Sequence, residues 1–149
     1  MSDWKTELNR YVEESEGVLF KYGKRDCFLF TVKWLETLWR KELLASITPE
    51  GYKSLKDGQN QALKLLKIDK SSDFLRDLWI ALAKRWKMKK VDPSKAQNGD
   101  VILVKFRGRT TSCIIKDGRG LTTGRCGLVW IFLDKVKILE SWRVDKCRQ

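Results

Sequence analysis

The chain has 149 residues, 42% of them hydrophobic, and carries a formal charge of +12 at pH 7 with no histidine. That length suits one domain with one core, and that composition argues against wholesale disorder. No apolar run approaches the length of a membrane-spanning helix.

Residues 3–16 read as a first helix, with Trp4, Leu8, Tyr11 and Val12 on one face and Gly17 ending it. Residues 18–26 form a connection containing Gly23, and Asp26 stands where an N-cap belongs. A second helix is expected over 27–44. Its wide stripe of Cys27, Phe30, Thr31, Trp34, Leu35, Leu38 and Trp39 makes it central. Residues 46–60 are polar and turn-rich, with Pro49, Gly51 and Gly58, and a short helix follows over 60–67. Ser71 or Ser72 caps another helix, where Phe74, Leu75, Leu78, Trp79 and Leu82 repeat at helical spacing. Lys84 to Lys90 reads as a helix end passing into a short strand.

The pattern then changes. Asn98-Gly99-Asp100 is a turn, and Val101 to Phe106 is a β-branched and aromatic strand. Arg107-Gly108-Arg109 reverses the chain into Thr110 to Ile115, and Asp117-Gly118 signals a hairpin. Leu121 to Thr123, Leu128 to Phe132 and Ile138 to Val144 supply further strands. Helices over 1–90 followed by an antiparallel sheet over 97–149 give one domain of the α+β class.

The positive charge sits in the second half. Residues 1–74 hold 13 Lys/Arg against 12 Asp/Glu, and residues 75–149 hold 18 against 7. Such a field attracts polyanions or an acidic partner. The four cysteines, Cys27, Cys113, Cys126 and Cys147, form no Cys-x-x-Cys pair. With no histidine available, neither a zinc site nor any other metal or cofactor is expected. The polar start, Met1-Ser2-Asp3-Trp4-Lys5, does not look like a signal peptide, so the expected place of synthesis is the cytoplasm and no disulfide framework is expected.

Chemistry is expected at Cys27. It opens a helix directly after a capping acid, where unpaired N–H groups and the helix dipole favour a thiolate. Lys24 and Arg25 add positive charge and Asp26 opposes it. The structural alternative is a buried cysteine that packs as a small apolar residue.

The run Phe20-Lys21-Tyr22-Gly23-Lys24-Arg25-Asp26-Cys27-Phe28 resembles the Tyr-x-x-Gly…Asp-Cys signature of NlpC/p60-type cysteine peptidases. Gln97-Asn98-Gly99-Asp100-Val101-Ile102-Leu103-Val104 resembles the Gly-Asp entry into that family's first central strand. Thr111 to Gly118 is similar to its next strand and hairpin. The closing Gly127-Leu128-Val129 and Ser141-Trp142-Arg143-Val144 resemble a small phage branch whose members often lie among tail genes. Over residues 4–144, the resemblance implies a papain-like fold. It implies that Cys27 is the nucleophile position for cell-wall peptide and Tyr22 an oxyanion donor. It also implies that the histidine position falls on or beside Thr111, and the orienting residue near Thr122 or Thr123. With no histidine, that dyad cannot form.

Three functional readings follow. In the first, a degenerate peptidase fold serves as a structural or adaptor part of a phage tail, in contact with other tail proteins and with peptidoglycan. It is made in the host cytoplasm and carried in the virion. In the second, a cell-wall endopeptidase uses Asp26, Asp100 or Asp117, or a group on a partner, as its base. The third, ranked below these, is a nucleic-acid- or host-factor-binding protein. It rests on Lys84, Arg85, Lys87, Lys89 and Lys90 around Trp86, and on Arg107, Arg109, Arg119 and Arg125 near turns. Candidate binding residues are Lys24, Arg25, Arg107 and Arg109.

Overall fold

The computed structural model describes residues 3–17, 26–46, 54–67, 73–124 and 127–146. Helix α1 (Trp4–Ser15) is amphipathic and buries Leu8 and Val12. Its Tyr11 ring lies 5.2 Å from that of Phe30 and 6.0 Å from that of Trp34, which fixes α1 on the next helix. Helix α2 (Cys27–Trp39) is apolar on most of its surface and buries nine side chains, including Trp34, Leu35, Leu38 and Trp39. It is therefore a core helix rather than a surface one.

α2 stops five residues short of the expected 44. Arg40 adopts a left-handed conformation (φ 54°), and its N–H reaches the Glu36 carbonyl. The Glu36 carboxylate then accepts from the N–H groups of Leu43 (2.7 Å) and Leu44 (3.2 Å). These bonds satisfy backbone donors in a turn that leads away from the helix axis. Helix α3 (Leu55–Leu66) starts earlier than expected. The Ser54 hydroxyl accepts from Asp57 N–H at 3.1 Å, a cap hidden within a polar stretch read as turns. Helix α4 (Phe74–Arg85) is capped by Asp73, which accepts from Arg76 N–H. Ser71 and Ser72 lie outside the described residues.

The strands are β1 (Lys89–Lys90), β2 (Val101–Phe106), β3 (Arg109–Lys116), β4 (Arg119–Gly124), β5 (Gly127–Ile131) and β6 (Lys137–Arg143). They form one antiparallel sheet in the order β1-β6-β2-β3-β4-β5. The expected α+β class, helices first and antiparallel sheet after, is the observed one. α2 packs across β3 and β4. Strand alternation then divides the side chains. Val101, Leu103, Ile114, Leu121 and Trp142 face the helices and join the main core. Ile102, Val104, Cys113, Ile115 and Ile131 face the other way and are covered by Leu133, Val136 and their neighbours.

The main core is rich in indoles. Trp34, Trp39, Trp79 and Trp142 are among the largest fully buried side chains. Trp79 has ring neighbours in Phe28 (5.6 Å), Trp86 (6.3 Å) and Trp142 (6.4 Å), tying α2, α4 and β6 together. Burying one such side chain contributes roughly 2–3 kcal/mol.

The Gly99-Asp100 turn is a second organising point. Gly99 has φ 88°, and its carbonyl accepts from Trp34 Nε1 at 2.9 Å. Asp100 is fully buried. Its carboxylate accepts from Gln97 N–H (2.8 Å), Val144 N–H (3.0 Å) and Arg143 Nε (2.9 Å), and it also pairs with the Lys146 ammonium. The Gly-Asp motif thus joins the start of β2 to the end of β6.

Candidate functional site

Cys27 is the first residue of α2, and Asp26 caps the helix by accepting from Leu29 N–H at 2.8 Å. The helix start lies against β3. The Ser112 hydroxyl donates to the Cys27 carbonyl at 2.8 Å. Thr31 Oγ1 sits 3.0 Å from the same carbonyl and 3.1 Å from Ser112 Oγ, so its single proton serves one of the two. Cys27, Thr31 and Ser112 therefore form one polar cluster at the head of the apolar helix. Thr31 and Ser112 are fully buried.

The electrostatic balance at the thiol differs from the one expected. Cys27 keeps some exposure as a residue, yet its sulfur is desolvated, and burial is the largest influence on it. Burial pushes the thiol up from its ordinary 9.0. The Ser112 backbone N–H pulls it down, the Asp26 carboxylate pushes it up, and the Ser112 hydroxyl and Phe28 N–H pull it down. The net direction is upward, so the protonated form is favoured. Cys113 faces the opposite side of the sheet, and burial holds its thiol well above the ordinary range. Both described cysteines are free thiols, and Cys126 and Cys147 lie outside the described residues.

These two thiols give a pH signature. Each has a folded value above its unfolded one, so its contribution to stability is complete below the unfolded value and is lost as pH rises through the folded one. A Cys27→Ala/Cys113→Ala variant is expected to lose less stability than the wild type between roughly pH 8 and pH 10. Urea midpoints across that range measure this, and an equal loss in both proteins would contradict it.

The histidine position is expected on or beside Thr111, and the residue beside it, Ser112, is the one that meets Cys27. Thr111 does not face Cys27. It alternates with Ser112 and Ile114, so its side chain lies on the face away from α2, with Oγ1 3.3 Å from the Arg109 carbonyl. The residue against Cys27 is Ser112. On β4, Thr123 shares the helix-facing side with Leu121, whereas Thr122 faces the second core. Continuing the Ile114↔Leu121 register places Thr123 across from Ser112. Among the described residues, Thr122 Oγ1 and Thr123 Oγ1 are buried without a hydrogen-bond partner.

The three carboxylates considered as bases have other positions. Asp26 is the α2 cap. Asp100 lies beside the Gly99 carbonyl that Trp34 holds, with its carboxylate on Gln97, Arg143, Val144 and Lys146. Asp117 is in the β3–β4 turn, where a hydrogen bond and charge from Lys116 hold its carboxyl below the ordinary range. A fourth carboxylate was missed at the sequence level. Asp73 accepts from Thr110 Oγ1 at 2.8 Å, on the same face of β3 two residues from Ser112. No local pattern links Asp73 to Thr110, because the pairing depends on where α4 lands on the sheet.

Tyr22, Lys24, Arg25 and Arg125 lie outside the described residues. Arg107 and Arg109 are exposed at the β2–β3 turn. Trp86 is buried, so it is not available to stack on a base, although Lys84, Arg85, Lys87, Lys89 and Lys90 around it are exposed. Among the described residues, no group of three or more acidic, cysteine or histidine side chains is placed to hold a metal. No helix there is long and apolar enough to cross a membrane.

These features define an α+β domain in which a cysteine-headed helix rides on the middle strands of an antiparallel sheet. A family model described as a domain of unknown function, DUF6950, matches residues 1–144. The chain belongs to that family. No curated protein matches it.

Proposed function

We propose that this is a papain-like, NlpC/p60-type domain whose site does not hydrolyse peptides and which acts as a structural or adaptor part of a phage tail, at its distal end. The reading is supported by the order and placement of three features. Cys27 heads the helix that crosses the sheet, Gly99-Asp100 leads into β2, and Ser112 on β3 stands where the resemblance asks for a histidine. The observation that carries the non-hydrolytic part is the pairing of Cys27 with Ser112. A serine hydroxyl is no general base near neutral pH, and this one directs its proton to the carbonyl of Cys27 itself. The thiol beside it is held protonated by burial. A nucleophile needs the opposite arrangement. The phage-tail setting, the virion location and contact with peptidoglycan rest on the sequence resemblance.

Incubation with purified peptidoglycan tests the enzymatic part. The wild type and Cys27→Ser are both expected to release no peptide fragments. Release by the wild type alone would overturn the reading and favour an active endopeptidase with a base other than histidine. The tail setting is checked by isolating virion tails, where the protein is expected at stoichiometric level.

A further inference from the structure

The end of the sheet formed by the β2–β3 turn has a charge pattern that the Cys27 site does not use. Lys105, at the end of β2, lies directly across from Lys137, the first residue of β6. Both are exposed. Like charges placed opposite each other on neighbouring strands repel and destabilise the pair. Arg107 and Arg109 follow in the turn, both exposed, and Lys135 precedes Lys137. Asp134 is the one acid in segments 105–109 and 134–137. Among the described residues, none of these five cations has a carboxylate within 4.0 Å, whereas Arg76, Lys90, Lys116, Arg143 and Lys146 all do.

The surroundings separate two kinds of partner. A protein interface needs an apolar or aromatic centre inside its polar rim. The exposed aromatics of the sheet, Trp130 and Phe132, are at the other end, because Ile131 pairs with Gly120 next to the β3–β4 turn. Trp130 there is already covered by the Arg119 guanidinium at 4.5 Å. At the cationic end, Phe106 is half-buried in the second core and carries the Arg107 guanidinium at 4.9 Å. What remains exposed is a rim of long cations with no apolar centre: Lys105 and Lys137 lie on the helix-facing side, next to the Thr110 that holds the Asp73 carboxylate, and Arg109, across from Phe106, lies on the other side. That composition fits a phosphodiester backbone, which is recognised by charge and needs no pocket.

We propose that the rim of the sheet at the β2–β3 turn, with Lys105 and Lys137 on one side and Arg107 and Arg109 on the other, binds nucleic acid through its phosphates, without reading sequence. Bound phosphates relieve the Lys105–Lys137 repulsion. The site is independent of Cys27, so its failure would leave the Cys27 reading untouched, and the reverse.

The probe is a fluorescently labelled DNA duplex, titrated with the full chain by anisotropy at about 50 and 200 mM salt. Four phosphate contacts predict a fall in affinity on the order of 100-fold across that range. The variant Lys105→Ala/Arg107→Asn/Arg109→Ala/Lys137→Ala is expected to abolish most of that salt dependence and weaken binding at low salt. Asparagine is chosen at Arg107 because the position has φ 52°. A variant removing four exposed cations elsewhere, Lys64, Lys84, Arg85 and Lys89, by alanine is expected to retain most of the affinity. Equal losses in the two variants would show that net charge alone acts, and would overturn the proposal. So would the absence of duplex binding at low salt, or equally tight binding of poly-glutamate, which would indicate an acidic protein. The double variant Lys105→Ala/Lys137→Ala, which removes the repelling pair alone, is expected to melt no lower than the wild type while still weakening binding. Unweakened binding in that variant would also overturn the proposal.

Discussion

Replacing Asp100 with alanine is expected to lower stability by about 3–5 kcal/mol, the range found when one partner of a buried ion pair is removed. Asp100 is fully buried and accepts from two backbone N–H groups, Gln97 and Val144, as well as from Arg143 and Lys146. Alanine leaves those two amides without an acceptor and the Lys146 ammonium, 9% exposed, without its counter-charge. Arg143 is 37% exposed, so it recovers part of its loss from water. For a domain whose total stability is on the order of 5–15 kcal/mol, such a loss is about a fifth of it or more. Urea denaturation gives the value, and thermal melting should show a drop of roughly 10 °C. A change below about 1 kcal/mol would mean that the motif is not a structural joint.

Trp34→Ala is expected to cost a similar amount, about 3–5 kcal/mol, for a different reason. The indole is fully buried between α1 and the Gly99 turn, and most of the loss is a cavity. Trp34→Phe separates the contributions. It keeps most of the ring but removes the 2.9 Å bond to the Gly99 carbonyl, so a smaller cost of about 1–3 kcal/mol is expected. Trp34 and Asp100 hold adjacent residues of one turn. Their effects should therefore be non-additive, with a coupling on the order of 1 kcal/mol in a double-mutant cycle. Full additivity would separate the helix contact from the carboxylate network.

Much of the architecture was readable from residue patterns. The strands were found because alternation and turn residues such as Asp117-Gly118 are local signals. The Asp26 cap and the Cys27 helix start were local too. The errors lie where tertiary contacts decide. α2 ends at Arg40 because Glu36 satisfies Leu43 and Leu44, and apolar periodicity does not report that turn. α3 begins at Leu55 because a lone serine caps it within a stretch rich in turn residues. At the site, Thr111 and Ser112 are equally polar neighbours, and only the parity set by Ile114 decides which faces α2. The thiol's upward shift matches the buried-cysteine alternative, which the residue pattern leaves open without selecting it. The helix start and nearby charges are written in the sequence, whereas the desolvation arises only when α2 is laid on β3.

The central claim is that Cys27 is a desolvated thiol rather than a primed nucleophile. The most direct test is the pH dependence of its alkylation by iodoacetamide in the folded full chain, with the modified residue mapped by mass spectrometry. Cys27 is predicted to react more slowly than in the urea-unfolded chain, with a midpoint above the ordinary 9.0. Alkylation of Cys27 near neutral pH, faster in the folded chain than in the unfolded one, would contradict the account.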